Sequence, residues 1–223
     1  NNGACRKLDS GVMCPSYRVT KEEKDLVRGR ANTLRLALSN QLPKDSFVSK
    51  GMYETMELCV SCKACQRECP MSVDMAKMKS EFLSHYYRKF SMSIKDRVIS
   101  NMPKLIWLLK ISNPIINTLN KLPIFGQIIE WFGFSSKRSL PVVENQKPLK
   151  EIYRDQLQSE KKVILFADTF NINFEIKNLM YAIKVVNKFG YQAIIPSFQS
   201  DSLGRPLCCG RTYISLGQLD KAQ

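Results

Sequence analysis

Residues 59–70 run Cys59-Val60-Ser61-Cys62-Lys63-Ala64-Cys65-Gln66-Arg67-Glu68-Cys69-Pro70, four cysteines at gaps of two, two and three, closed by a proline. The two short gaps let Cys59, Cys62 and Cys65 turn their thiolates inward around one iron–sulfur cube. The longer gap and Pro70 carry Cys69 away toward something else. In chains that hold two such cubes, the fourth cysteine of the run ligates the other one. The stretch therefore points to electron transfer and raises the question of where the remaining ligands lie.

Cys14-Pro15 repeats the ending of this run, which makes Cys14 the natural fourth ligand beside Cys59, Cys62 and Cys65. Cys5 and Cys69 would then belong to a second 4Fe-4S cluster. Six of the eight cysteines lie in the first 69 residues, so that second cube is two thiolates short within the chain. A single cluster, with Cys5 and Cys69 in other roles, stays open. Structural zinc is the competing use of these thiols. Zinc sites favour two separated C-x2-C pairs, and three cysteines in tandem followed by Cys-Pro suit a cube better. His85, the one histidine, sits in a helical pattern beside Tyr86 and Tyr87 and is expected to pack or face solvent rather than ligate.

The 223 residues carry a net charge of +14, divided as +6 over residues 1–90, +6 over 91–150 and +2 over 151–223. This balance suits nucleic acid, anionic lipid or an acidic partner. No dense basic block or nucleic-acid motif accompanies it, so solvated helix faces are the expectation and nucleic acid is not an expected partner. Clustered cysteines without a signal peptide favour metal or redox chemistry over a disulfide framework, and a reducing cytoplasm as the compartment. A start at Asn1 and an end at Gln223, soon after a new motif opens, suggest an internal piece of a longer protein.

Cys5, Gly11, Cys14 and Pro15 suggest a wrapping loop over residues 1–19. Thr20 and Glu23 form a capping box that predicts a helix over residues 20–39, weakened by Gly29. Further helices are expected over 52–58 and 74–89, the latter with Met75, Met78, Phe82 and Tyr86 on one face. Helices around cysteines describe an α-helical ferredoxin-type domain over 1–90. Residues 97–134 are strongly apolar, yet their longest charge-free stretch is far short of the roughly 20 residues a spanning helix needs. Asn113-Pro114 resembles a helix start, so several short helices are predicted. Trp107, Trp131, Phe132 and Phe134 either pack onto the rest of the chain or form a docking or peripheral membrane face. Polar residues 135–159 are predicted to be a linker. They complete a helical connector over 91–160.

Residues 161–223 change period. Val163-Ile164-Leu165-Phe166 predicts a parallel strand buried on both faces. Residues 174–189 predict a helix closed by Gly190, and 191–195 a second strand, giving a βαβ unit. The fold class is therefore mixed: an α-helical ferredoxin domain, a helical connector and a truncated α/β domain. Leu207-Cys208-Cys209-Gly210 follows, ahead of a helix predicted over 212–222. A loop at that helix N-terminus would present both thiols, and the helix dipole would lower their pKa. Two bystander cysteines are the plainer alternative.

Three stretches together resemble one family, the FAD-linked 2-hydroxyacid dehydrogenases with a fused iron–sulfur tail, relatives of enzymes that oxidise D-2-hydroxyglutarate, D-lactate and glycolate. They are G-A-C-R-K-L-D-S-G-V-M-C-P-S-Y-R-V-T from Gly3, R-G-R-A-N-T-L-R from Arg28, and the cysteine run from Cys59. L-F-A-D-T-F-N and R-P-L-C-C-G-R-T-Y-I-S-L-G, near the end, resemble the opening of the family's cysteine-rich CCG domain. The resemblance implies FAD on an absent N-terminal part. It also implies, as partner, a flavin domain of the same polypeptide or a flavoprotein subunit, and a quinone or other electron acceptor. Cys208 and Cys209 match the CCG signature of heterodisulfide-reductase-type subunits. An upstream cysteine of the fullest signature is absent between Asp168 and Asn178, so the pair is open as redox couple or metal site. A separate iron–sulfur subunit of a heterodisulfide-reductase-like or glycolate-oxidase complex is the alternative function. A cytoplasmic location, with peripheral contact on the inner membrane face, would suit either.

Overall fold

Pro15 has no backbone N–H to donate, which suits the first turn of a helix. Helix α1 (Pro15–Thr20) starts there, so the expected loop over residues 1–19 is helical at its end. The computed structural model describes residues 3–7, 11–196 and 208–222; residues 8–10, and Leu207 ahead of the cysteine pair, lie outside them. Two compact units emerge, Asn1–Met92 with Gly210–Gln223, and Ser93–Cys209.

In the first unit the capping box expected at Thr20 does not form. Thr20 closes α1, and its hydroxyl donates to Asp25 Oδ2 at 2.7 Å. A 3-10 turn, Glu23–Asp25, intervenes before α2 (Val27–Leu38). Gly29 serves this turn: a Cβ there would collide with the Glu23 carbonyl. α3 (Lys50–Glu57) is capped by Ser49, whose Oγ accepts from the Met52 amide at 3.2 Å. α4 (Ala64–Glu68) lies within the cysteine run. α5 (Met75–Lys89) is capped by Asp74, and it buries Phe82, Leu83 and Tyr86. Leu26, Met56 and Phe82 are fully enclosed at the centre of this unit. Tyr86 stacks on Tyr53 with ring centroids 4.8 Å apart.

The second unit opens with α6 (Ile94–Ser100), α7 (Met102–Leu119) and α8 (Pro123–Trp131). Pro114 lies inside α7 rather than opening a helix. An interior proline costs about 3 kcal/mol through its lost hydrogen bond and ring clash. Asn113 has a different task from the helix cap expected of it. Its Oδ1 accepts from the Val143 amide at 2.9 Å while its Nδ2 donates to the Val143 carbonyl at 2.8 Å. Two helical turns on, Asn120 treats Leu140 likewise, with both bonds at 3.0 Å. The expected linker over 135–159 is thus pinned at two backbone positions, and it contains α9 (Lys147–Arg154). No helix among the described residues is long and apolar enough to cross a membrane.

Strands β1 (Lys162–Ile164) and β2 (Gln192–Ile194) pair in parallel, with Val163 opposite Ala193. Between them run α10 (Thr169–Asn173) and α11 (Ile176–Lys188), so the expected βαβ connection is present with an additional helical turn. Leu149, Ile183, Ala193 and Ile195 are fully buried in its core. β1 is not buried on both faces as expected: Ile164 is 73% exposed and Phe166 53%. A described sheet of two strands has too little surface around it to enclose both faces of β1. The architecture is mixed and mainly helical, as the sequence predicts.

The predicted helix over 212–222 is two short ones, α12 (Arg211–Ser215) and α13 (Leu219–Ala222). Gly217, at φ +69°, separates them, and a Cβ on it would collide with the backbone of Leu83 and Ser84 in α5. The Ser80 hydroxyl donates to the Ile214 carbonyl, so the chain end docks on α5.

Replacing Asn113 and Asn120 by Ala should destabilise the second unit by about 1–3 kcal/mol per site, because buried backbone groups lose their partners. Thermal unfolding and limited proteolysis within residues 135–146 report it. Unchanged cleavage would mean that other contacts hold the segment.

Candidate metal centre

Short helices and left-handed turns bring the cysteine run into position. α3 ends at Leu58, and the Cys59 amide donates to the Met56 carbonyl at 3.0 Å. Ser61 and Lys63 then take left-handed conformations, φ +53° and +61°, on either side of Cys62. Cys14, ahead of α1, has φ +54°. Left-handed backbone costs a non-glycine residue roughly 1–2 kcal/mol, and such strain gathers where a structure clamps a ligand. These three, of the seven left-handed non-glycine residues among those described, line one pocket.

That pocket is walled by Cys14, Cys59, Cys62 and Cys65, together with Val27 and Arg30 of α2 and Met75 of α5. The four cysteines assigned to the first cluster therefore converge on one cavity, although Cys14 is far from the others in sequence. Cys14 and Cys65 are buried, Cys59 is half-buried and Cys62 is exposed. Among the described residues, no three Cys, His, Asp or Glu side chains gather tightly enough for a single metal ion. A cube accepts wider spacing, since its ligands sit at separate iron corners.

Two helix N-termini address the buried sulfurs. The Val27 amide, first in α2, donates to Cys14 Sγ at 3.2 Å. The Met75 amide, first in α5, donates to Cys65 Sγ at 3.4 Å. The residue capping α2, Leu26, has no polar side chain, so the Cys14 sulfur supplies the acceptor a capping residue ordinarily provides. Amide donation and the helix dipole both favour a thiolate over a thiol.

Burial works in the opposite direction. It pushes the Cys14 thiol up to about 11, against the Val27 amide and the nearby Arg30 charge, which lower it. Burial likewise raises Cys65, partly offset by the Met75 amide. A desolvated thiol keeps its proton unless a cation replaces it, which is what metal binding does. The donor set fits an iron–sulfur cluster: soft ligands, pre-strained turns and sulfur-directed amides around one cavity.

A carboxylate holds the Cys14 loop against the main run. Glu68 Oε1 accepts from the Val12 amide at 2.9 Å and Glu68 Oε2 from the Met13 amide at 3.0 Å. Gly11, at φ +78°, passes so near that a Cβ would collide with Glu68 Oε2. Sequence spacing carried no sign of this contact, since Glu68 is one of several charged residues between cysteines. Arg30 was equally hidden; it drew notice only within the stretch R-G-R-A-N-T-L-R.

The other cysteines lie outside that pocket lining. Cys5 is buried in a 3-10 turn, Ala4–Arg6, and shares the core of the first unit with Cys14. Cys69 is half-buried, and its amide donates to the Cys65 carbonyl at 2.9 Å as it leaves α4. Cys208 is half-buried and Cys209 exposed. α12, the helix that follows them, has five residues in place of the longer one expected. His85 is a surface residue whose Nε2 lies 3.2 Å from Glu81 Oε1.

Residues 1–73 match the 4Fe-4S dicluster domain family. The chain is also similar to D-2-hydroxyglutarate dehydrogenases from Pantoea ananatis (24% identical over 88% of this chain and 24% of the relative), Escherichia coli K12 (22%, over 88% and 24%) and Haemophilus influenzae (24%, over 89% and 24%). It spans about a quarter of the length of these curated relatives. No solved structure matches it. The family resemblance drawn from Gly3, Arg28 and Cys59 onward agrees with both findings, and the relationship extends over most of the chain.

Glu68→Ala should loosen the Cys14 loop. The expected outcome is a loss of about 1.5–3 kcal/mol, the usual worth of charged hydrogen bonds. Glu68→Gln, which keeps an acceptor, should lose less. Chemical denaturation of the iron-loaded protein ranks the two variants, and equal losses would count against the backbone contacts.

Proposed function

We propose that the chain is the iron–sulfur electron-transfer segment of an FAD-linked 2-hydroxyacid dehydrogenase. The convergence of Cys14, Cys59, Cys62 and Cys65 on one cavity carries the reading. The dicluster match over residues 1–73 and the D-2-hydroxyglutarate dehydrogenase relatives support it. A 4Fe-4S cluster there supplies one-electron transfer, the counterpart of a flavin that handles electron pairs.

Each part of the chain has a role in this reading. Cys14, Cys59, Cys62 and Cys65 hold the first cluster, and the Val27 and Met75 amides stabilise its buried thiolates. Exposed Cys62 marks the edge where an electron partner approaches. Cys5 and Cys69 serve a second cluster whose remaining ligands lie elsewhere. Cys208 and Cys209 form a redox pair or complete a metal site. FAD sits in a flavin domain of the same polypeptide or in a flavoprotein subunit, and the final acceptor is a quinone or another electron acceptor.

Quinone as acceptor favours contact with a membrane surface. In the second unit Trp107 is 58% exposed, Ile111 71% and Trp131 85%. Lys104, Lys110 and Lys121 accompany them. Aromatic and aliphatic side chains among lysines suit a peripheral site on anionic lipid. Flotation of the full-length protein with phosphatidylglycerol vesicles should show binding that phosphatidylcholine does not support and that Trp107→Ser with Trp131→Ser abolishes. Equal recovery with both lipids would remove the membrane from the reading.

The central test is iron and acid-labile sulfide analysis of anaerobically purified full-length protein, with low-temperature EPR after reduction. Cys14→Ser and Cys69→Ser should damage different clusters. Zinc without iron or sulfide, and no EPR signal, would overturn the function.

A further inference from the structure

Arg30 is 1% exposed and lines the same pocket as the four cysteines. Its guanidinium is fixed on several sides. Nε donates to the Thr55 carbonyl at 2.9 Å and Nη1 to the Asp25 carbonyl at 2.7 Å. Nη2 lies 3.2 Å from Ser16 Oγ and 3.4 Å from Asp25 Oδ1. Asp25 is fully buried and receives the Thr20 hydroxyl, but it is not among the residues lining the pocket. Of the two buried charges, only the cation belongs to a residue of the pocket wall.

We propose that the buried Arg30–Asp25 pair sets the reduction potential of the cluster held by Cys14, Cys59, Cys62 and Cys65, with Arg30 raising it and Asp25 moderating the effect. The inference rests on the proposed iron–sulfur reading and assigns the pair a positioning and electrostatic role. Burying two charges is a poor way to gain stability, since apolar residues of similar volume often do as well. A fixed cation at the pocket wall, however, acts on any charge inside it. One-electron reduction adds one negative charge to the centre. Arginine stays protonated throughout, so the added electron needs no accompanying proton at this residue. With both groups buried, solvent ions screen the effect little.

The test is an EPR-monitored redox titration of the full-length protein and three variants, with iron and sulfide content measured alongside. Arg30→Gln should shift the equilibrium about tenfold toward the oxidised centre at a given potential, about 59 mV for a one-electron couple. A unit charge a pocket's width away, at an effective dielectric of about 20, has on the order of this effect. Asp25→Asn should shift it the opposite way, because Arg30 is then uncompensated. Arg30→Lys should stay near the parent, and raising the ionic strength should change none of the differences.

Unchanged potentials in cluster-loaded variants would overturn the proposal, as would shifts of one sign for Arg30→Gln and Asp25→Asn. Should Arg30→Gln fail to assemble a cluster, the direction of the Asp25→Asn shift decides. Should neither variant assemble one, the pair is a folding element and the proposal falls. Absence of iron and sulfide from the parent protein would instead overturn the iron–sulfur reading itself.

Discussion

Cys14 and Cys65, two thiols buried in the apolar core, are the constraint on which the first unit is built. Ligation needs the sulfurs charged, while burial favours their protonated form. Three features at the pocket reduce that conflict. The first amides of α2 and α5 donate to sulfur, Arg30 brings a positive charge, and left-handed turns at Ser61 and Lys63 direct the chain around the cavity. Helices α2 and α5 each deliver an N-terminal end, rather than a side, to a buried sulfur. Phe82, Met56 and Leu26 then supply the burial that holds those ends together.

The Cys14 loop and the cysteine run are joined by residues other than cysteine. Glu68 ties the loop before Cys14 to the helix carrying Cys65, and Arg30 ties α1 and α2 to the end of α3. The Glu68 contact needs the absent side chain of Gly11, whereas the absent side chain of Gly29 lets α2 start beside the Glu23 carbonyl.

The cysteine pattern made the ferredoxin-type unit legible, because ligand spacing is itself a geometric statement. Helices α3 and α5 were legible for the same reason: apolar residues recur at helical intervals and Asp74 marks an end. The misreadings come from side chains with two competing uses. Thr20 followed by Glu23 satisfies the capping pattern, yet the Thr20 hydroxyl goes to Asp25, whose location depends on the Arg30 contact. Asn113 before a proline resembles a helix start, yet its amide pairs with a backbone segment 30 residues on. Local rules cannot register a partner at that distance. Val163 to Phe166 has the composition of an enclosed strand, but enclosure depends on neighbours that composition does not supply.

The return of residues 210–223 to the first unit changes what the cysteine pair at 208–209 can mean. Gly217 presses against the backbone of α5, and Ser80 holds Ile214. α5 also opens with the Met75 amide that donates to Cys65. One helix thus carries both the amide beside a buried thiol and the seat for the chain end. Gly210, directly after the pair, belongs to that docked end, while Cys208 and Cys209 belong to the second unit.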